Sequence, residues 1–480
     1  RTLDMQSRRP ITRKPAMKAS TPIDKCCTAV RSTLRYLFLA TAVFATPAAR
    51  ADESQLVSDT GIHGPTLVFD WPAVEIGIGS YEAGPTGLTI FRFPNKATAA
   101  VDVRGGAPGT VNTDLLRLGY ARPFVDAVVF SGGSAYGEEA VTAVMTGLKD
   151  DGVRSGDLNN IGLAAGAIIY DFLGHRLNEI YPDKRLALAA LHDLRPGVFP
   201  LGAQGAGRMA MQGGFFGCGA HSGQGGAFRQ IGDTKVAAFA VVNAFGAITD
   251  RDGRMVSCHR DPAWGDLVKT SDLLARAAER AAAAPSGPTR NTTISLVITN
   301  RKMGPADLQR LAVQVHTSMA RAIQPFSTYE DGDTLFAVST QEVGAPDMRP
   351  TLGAIDFIAA ETMWDAILAS VPNEPASPPA PEATLAPERL VGLSGRYRMG
   401  PNAVLEIKLE NGSLTVRLEG PRFFDLGPQP TLLHATSATA FHVEGRYGTG
   451  LTFLTGADGK ATGLTVNPGR WAQQGERLPD

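Results

Sequence analysis

The chain has 480 residues, a formal net charge of −1 and 43% hydrophobic residues. This is an ordinary globular composition with enough length for a large core and more than one domain. Near-neutral charge argues against nucleic acid as a partner.

Basic residues are scattered from Arg8 to Arg35, Tyr36 to Ala45 is an apolar run, and Ala49-Arg50-Ala51 precedes Asp52. This is a secretory-signal pattern. Residues 1–51 are therefore expected to be a signal peptide, with the mature protein starting at Asp52 in the periplasm or outside the cell. Met17-Lys18 would open a signal of more usual length. The run is too short for a permanent span, and no second stretch is long enough for a membrane helix. Cys26 and Cys27 would leave with the signal. Cys218 and Cys258 remain, either as a disulfide or as two buried thiols.

Downstream the pattern is mixed α/β. Ala73–Tyr81, Thr86–Phe93 and Ala99–Arg104 read as strands, the last followed by a sharp turn at Gly105-Gly106-Ala107-Pro108-Gly109-Thr110. A short strand, Val125–Phe130, enters Ser131-Gly132-Gly133-Ser134 and a helix from Glu138 to Lys149. The serine-hydrolase elbow needs glycine two residues after Ser134, where Tyr136 stands, and no phosphate-loop Gly-Lys-Ser/Thr follows. A close-packed strand-to-helix turn fits better. Ile161–Leu173 is apolar and contains Tyr170-Asp171. Gly202–Gly226 is glycine-dense but carries Met209, Met211, Phe215 and Phe216, which suggests backbone packed around a site. Val236–Phe245 is an apolar β-rich run with one polar residue, Asn243. Helical spacing marks Asp266–Ala284, the segment from Pro305, and Leu352–Val371.

Pro285-Ser286-Gly287-Pro288 then gives an exposed loop, and Thr293–Thr299 is a β-branched strand. Asn291-Thr292 sits where the loop enters it. Two readings stand here. One is a strand that begins with ordinary threonines. The other is a self-cleaving bond whose new amino-terminal Thr292 is a nucleophile, because a threonine with a free α-amino group carries its own base. Asp333–Thr340 is a further strand.

Residues 372–387 are proline- and alanine-rich and read as a linker across which few contacts should pass. Residues 388–480 read as all-β. Leu405, Ile407 and Leu409 alternate with charged residues, Asn411-Gly412 turns, and Leu414, Val416 and Leu418 return on the same face. Asp458-Gly459 turns a second hairpin.

Six stretches carry a family resemblance: Val103–Thr110, Ser131–Ala135, Gly166–Asp171, Val241–Gly246, Asn291–Thr293 and Asp331–Thr334. Together they resemble the L-aminopeptidase/D-esterases, β-peptidyl aminopeptidases and 6-aminohexanoate-oligomer hydrolases. The resemblance implies an α/β, αββα sandwich of the N-terminal-nucleophile type over residues 52–371. It also implies autocleavage between Asn291 and Thr292, and a homo-oligomer of processed pairs. It gives Asn243 as oxyanion donor, Tyr170 beside the scissile group, and Asp331 and Asp333 as the acidic pair near the nucleophile. The implied substrate is a small peptide or amide, with no cofactor and no metal. Because the family includes aminopeptidases, Glu138 or Glu139 is a candidate for the substrate's amino group, against solvated carboxylates at a helix start.

One departure stands out. Relatives of the oligomer-hydrolase type carry a lysine after a glycine-rich turn, whereas here Gly205-Ala206-Gly207 continues as Arg208-Met209-Ala210. Arg208 or water would have to replace it. The C-terminal module, with Leu393-Ser394-Gly395-Arg396-Tyr397, resembles the lipocalin-like β domain of secreted β-lactamase-class hydrolases. Ser-x-x-Lys, the nucleophile motif of those hydrolases, does not occur in this chain. Two alternatives stay open: a serine hydrolase using Ser134 with His192 or His221, and a non-catalytic periplasmic binding protein on the same fold.

Overall fold

The computed structural model describes residues 56–480 apart from 122, 173, 217–218, 258–268, 281–290, 345–350, 373–382, 421–425, 445, 468 and 480. The expected signal peptide, both cysteines of the expected pair, most of the loop before Asn291 and most of the proline-rich segment lie outside the described residues.

The first strands are β1 (Glu75–Tyr81), β2 (Thr86–Val103), β3 (Phe124–Ser131) and β4 (Ala164–Ile168). A small ribbon follows, β5 (Met211–Gln212) with β6 (Ala220–His221). Then come β7 (Gln224–Ile231), β8 (Thr234–Asn243), β9 (Thr292–Arg301) and β10 (Thr334–Val343). The helices are α1 (Glu138–Asp150), α2 (Lys184–Leu191), α3 (Thr270–Arg280), α4 (Pro305–Ser318) and α5 (Leu352–Leu368). In hydrogen-bonding order the main path is β7-β8-β9-β10-β2-β3-β4, with β1 also on β2.

Strand β2 turns this path into a sandwich. The sequence reads as two strands interrupted at Pro94-Asn95-Lys96, but β2 runs unbroken for 18 residues. Its register with β3 shifts between Arg92 and Ala97, and Lys96 takes a positive φ of 56°. An irregularity of this kind bends a strand without ending it. The first half of β2 pairs with β1 and the second half with β10.

Side-chain alternation then sorts the residues into layers. Phe91, Phe93, Val128, Phe130, Phe239, Ile294, Leu296 and Phe336 fill the space between the two sheet halves. Leu88, Ile90 and Val129 face α1 and α2. Ala238, Val242 and Val297 face Leu308, Leu311 and Val315 of α4 and Ile355 and Met363 of α5. The architecture is αββα, as expected. Strand β9 is buried on both faces along its length, which is why its sequence is almost continuously β-branched or aliphatic.

The C-terminal module is a closed barrel of β11 (Gly395–Gly400), β12 (Ala403–Glu410), β13 (Ser413–Glu419), β14 (Thr431–Ala435), β15 (Ala440–Val443), β16 (Arg446–Thr455), β17 (Ala461–Val466) and β18 (Gln473–Arg477). Asn411 and Gly412 both have positive φ, 52° and 84°, the geometry that a two-residue hairpin turn needs. Tyr397, Leu405, Ile407, Leu414, Val416 and Phe453 fill the interior, as eight strands allow. The module is not wholly β: α6 (Pro387–Leu393) precedes it. Pro387 starts this helix, and Leu390 and Leu393 join the barrel core.

The expectation of few contacts across the boundary does not hold. Gln473 Nε2 donates to the Gly174 carbonyl at 2.9 Å, and Arg176 donates to the Gln474 carbonyl at 3.2 Å. Arg470 pairs with Glu82 at 3.0 Å, and Trp471 stacks on His221 with ring centroids 4.9 Å apart. Ala203 and Met209 are buried with the barrel core. The apolar residues among the glycines of 202–226 are thus covered partly by this module.

Candidate active site

Thr292 opens β9 directly opposite Asn243, the last residue of β8. The side chain of Thr292 is buried, and its Oγ donates to the Asn291 carbonyl at 2.6 Å. The same carbonyl oxygen accepts the Gly332 N–H at 2.9 Å. The carbonyl of the bond preceding Thr292 therefore already holds a backbone donor. A backbone N–H at that distance can stabilise negative charge developing on the oxygen.

Gly332 lies between the two predicted aspartates, and its lack of a side chain is required. A Cβ there would fall 2.7 Å from Thr292 Oγ and 2.6 Å from the Ala107 carbonyl oxygen. The turn at 105–109 presses from the other side. Arg104 N–H and Gly105 N–H donate to the Asp333 carbonyl at 3.0 and 3.2 Å, and Ala107 N–H to the Asp331 carbonyl at 2.8 Å. A Cβ on Gly105 would sit 2.2 Å from Asp333 N. The glycines of this turn thus allow two backbones to approach and hold the acidic loop.

Both aspartates are buried. Asp333 accepts Thr293 N–H at 2.7 Å, Ser327 N–H at 3.0 Å and Ser327 Oγ at 3.2 Å. Asp331 accepts Phe245 N–H at 3.1 Å, Thr328 N–H at 3.1 Å and Thr328 Oγ at 2.7 Å. These donors favour the charged forms, but burial outweighs them. Burial, with the Asp331 charge beside it, pushes the Asp333 carboxyl from the ordinary 3.8 up to about 8. Burial also raises Asp331. Two carboxyls in one dry loop cannot both ionise easily, so the pair is set to respond to any positive charge that arrives.

Asn243 is held at both ends of its amide. Its Oδ1 accepts Met211 N–H at 3.0 Å, and its Nδ2 donates to the Tyr170 carbonyl at 3.0 Å. A primary amide has two N–H groups, so one remains for another acceptor. Tyr170 thus meets Asn243 through its backbone.

The remaining candidates divide. Glu138 is partly buried at the start of α1, where burial raises its carboxyl, and its Oε1 lies 3.4 Å from the Cβ position of Gly109. It therefore flanks the turn that covers Gly332. Glu139 is exposed and accepts Lys184 N–H at 3.1 Å at the start of α2. Arg208 is buried, ion-paired with Glu82 at 2.7 Å and bonded to the Arg470 carbonyl. It serves the barrel seam, so it is not placed to stand in for the absent lysine. Ser134 is buried and its Oγ has no hydrogen-bond partner. His192 bonds Asp151 at 3.2 Å and His221 stacks on Trp471, and among the described residues neither histidine bonds Ser134 Oγ.

Sequence reasoning passed over Gly332, Ser327 and Thr328. A glycine between two aspartates reads as a turn, and backbone donors leave no residue signature. The nearest signal was the density of small residues around the acidic pair.

Residues 67–374 match the profile of Peptidase family S58. A 6-aminohexanoate-oligomer endohydrolase of Paenarthrobacter ureafaciens is 40% identical over 336 residues, covering 68% of this chain and 91% of that protein. A protein described as an uncharacterized aminopeptidase of Mycobacterium tuberculosis is 34% identical over 307 residues, covering 60% of this chain and 86% of its own length. Among solved structures, a β-aminopeptidase of Burkholderia sp. aligns with a TM-score of 0.46 at 17% identity, over 65% of this chain and 88% of that one.

Proposed function

Because the chain belongs to peptidase family S58 and is a hydrolase of peptide or linear amide bonds, we propose that Thr292 is its nucleophile and that the chain activates itself by cutting Asn291–Thr292. The observation that carries this reading is the convergence on one carbonyl: Thr292 Oγ lies 2.6 Å and Gly332 N 2.9 Å from the Asn291 oxygen.

In the first step Thr292 Oγ attacks the Asn291 carbonyl carbon. The C–N bond breaks, the hydroxyl proton ends on the departing nitrogen, and the peptide becomes an ester. Water then cleaves the ester, leaving a carboxylate on Asn291 and a free amine on Thr292. That amine appears one residue from Thr293, whose N–H already bonds Asp333. An ammonium there draws the raised carboxyls toward ionisation, which fixes the new N-terminus.

In the mature enzyme the neutral amine takes the proton from Oγ as Oγ attacks a substrate amide. The leaving amine carries that proton away, and water hydrolyses the acyl-enzyme. The free N–H of Asn243 donates to the developing oxyanion. One such donor is worth roughly 10²–10³ in rate. Tyr170 acts through the carbonyl that orients Asn243.

The substrate class is a short amide oligomer of amino acids, supported by the 40% identity to an oligomer endohydrolase. Glu138 is the carboxylate assigned to a substrate ammonium, since Glu139 is already used by α2. Export of the protein and assembly of cut pairs into a homo-oligomer belong to the same reading. The signal pattern before Asp52 supports export.

A denaturing gel with N-terminal sequencing tests the core of the reading. Two fragments, one starting at Thr292, are expected. Thr292→Ala should give one uncut, inactive chain, and Thr292→Ser should retain part of both reactions. Normal cutting and turnover in Thr292→Ala would overturn the assignment.

A further inference from the structure

Asn243 can serve an oxyanion only if its amide points the right way, and two neighbours decide that. Met211 N–H fixes Oδ1 and the Tyr170 carbonyl fixes Nδ2. If the amide flipped, an N–H would face an N–H and an oxygen would face an oxygen, and both bonds would be lost.

Neither neighbour stands on a stiff element. Met211 belongs to a ribbon of two residues per strand, where it lies opposite His221 and Gln212 opposite Ala220. A ribbon of that size has little stability of its own. Tyr170 lies beyond the end of β4, in an irregular segment.

The barrel touches both arms. Trp471 stacks on His221, the residue directly across from Met211. Arg208, at the entry to the ribbon, bonds the Arg470 carbonyl. Met209 is buried in the barrel's own core cluster, with Met211 packed against it. On the other arm Gln473 Nε2 donates to the Gly174 carbonyl, four residues after Tyr170. The two arms also meet there, since a Cβ on Gly174 would lie 3.2 Å from the Met209 carbonyl oxygen and 3.6 Å from Met211 Sδ. Residues 470–473 thus span both supports of one amide.

We propose that the C-terminal barrel is a positioning element for the hydrolase, its Arg470–Gln473 segment clamping the two backbone groups that orient the Asn243 amide. This rests on Asn243 being the oxyanion donor. The barrel itself contributes no group to the reacting atoms. Its effect passes through Asn243 and is felt in kcat, while substrate binding stays largely as it was.

The test is a double-mutant cycle on cut, active-site-titrated full-length enzyme, with a short amino-acid amide as substrate. Trp471→Ala should lower kcat about tenfold and leave KM within about twofold. In the Asn243→Ala background the same change should alter kcat by less than about twofold, because the group it positions is gone. Trp471→Phe keeps an aromatic face for His221 and should restore most of the loss. Arg389→Ala loosens the barrel away from the seam, where Arg389 bonds the Ala438 and Gly459 carbonyls at 3.0 and 2.9 Å. It should lower Tm and spare kcat.

Should Trp471→Ala fold poorly, Gln473→Leu carries the same expectation through Gly174. Equal losses from Trp471→Ala in both backgrounds would overturn the inference while leaving the Asn243 assignment standing. A wild-type kcat in Asn243→Ala alone would remove the assignment and this inference with it. A drop in kcat from Arg389→Ala matching that from Trp471→Ala would reduce the barrel to a general stabiliser.

Discussion

Replacing Asp333 by Asn, in a chain kept uncut by Thr292→Ala, should flatten the pH dependence of stability. The folded carboxyl of Asp333 is pushed up to about 8 from an ordinary 3.8. Between pH 5 and 7 the unfolded chain has released this proton and the folded chain still holds it. The folded state therefore binds more protons, and stability falls as pH rises. Each pH unit costs a little over 1 kcal/mol, so the interval costs about 3 kcal/mol. With an unfolding entropy of about 2 cal/mol/K per residue, that is about 3 °C in Tm for a chain of this size.

Asparagine cannot titrate, so the slope contributed by this group should vanish. Its NH₂ also faces a donor where a carboxyl oxygen accepted before, so absolute stability should drop at every pH. Thermal melts at pH 5, 6 and 7 of Thr292→Ala, with and without Asp333→Asn, read the difference. Carboxyls whose folded pKa is depressed, such as Asp102 beside His316 and Arg104, gain stability as pH rises and are common to both chains. Parallel slopes would show that Asp333 is ionised throughout, and the expectation that a new ammonium recruits it would fail.

Gly332→Ala places a methyl 2.7 Å from Thr292 Oγ and should slow self-cutting about 100-fold, read as slower appearance of the two fragments on a gel. Leu311→Ala, in the face of α4 buried against the sheet, should cost about 2–5 kcal/mol in a denaturant titration and leave the cutting rate within about twofold. Ending the chain before α6 uncovers Met209 and removes the Arg470 carbonyl from Arg208. The product should be poorly soluble or slow to cut, and a soluble, promptly cut truncation would show that the seam is dispensable.

The parts of the fold legible in the sequence were those with a strict period or burial on both faces. Strand β9 reads as a strand because each residue meets a core, and Asn411-Gly412 reads as a turn because both residues must take positive φ. Strand β2 did not read as one element. Pro94 looks like a stop, yet the bulge around it lets the strand pass from one sheet half to the other. At the site, Thr292 was legible beside the reading of an ordinary strand threonine, and Asn243, Asp331 and Asp333 only through the family resemblance. What they bond to was not, because Gly332, Met211, Phe245 and Tyr170 act there through backbone atoms that every residue possesses. The docked barrel was hidden for a different reason. A proline-rich segment describes its own stiffness and says nothing about the surfaces on either side.

The strand order has a consequence for a chain cut before Thr292. Of the strands in the sandwich, β9 and β10 belong to the downstream piece and all the others to the upstream piece. Yet β9 lies between β8 and β10, and β10 between β9 and β2. The downstream pair is therefore dovetailed into the upstream sheet, hydrogen-bonded along both flanks. The barrel reaches back as a third hold, with Arg470 and Trp471 on one piece and Arg208 and His221 on the other. Pulling the pieces apart would open the sheet at two ladders and undo the seam at once. Separation would amount to unfolding, so a cut here frees an amine without freeing a subunit.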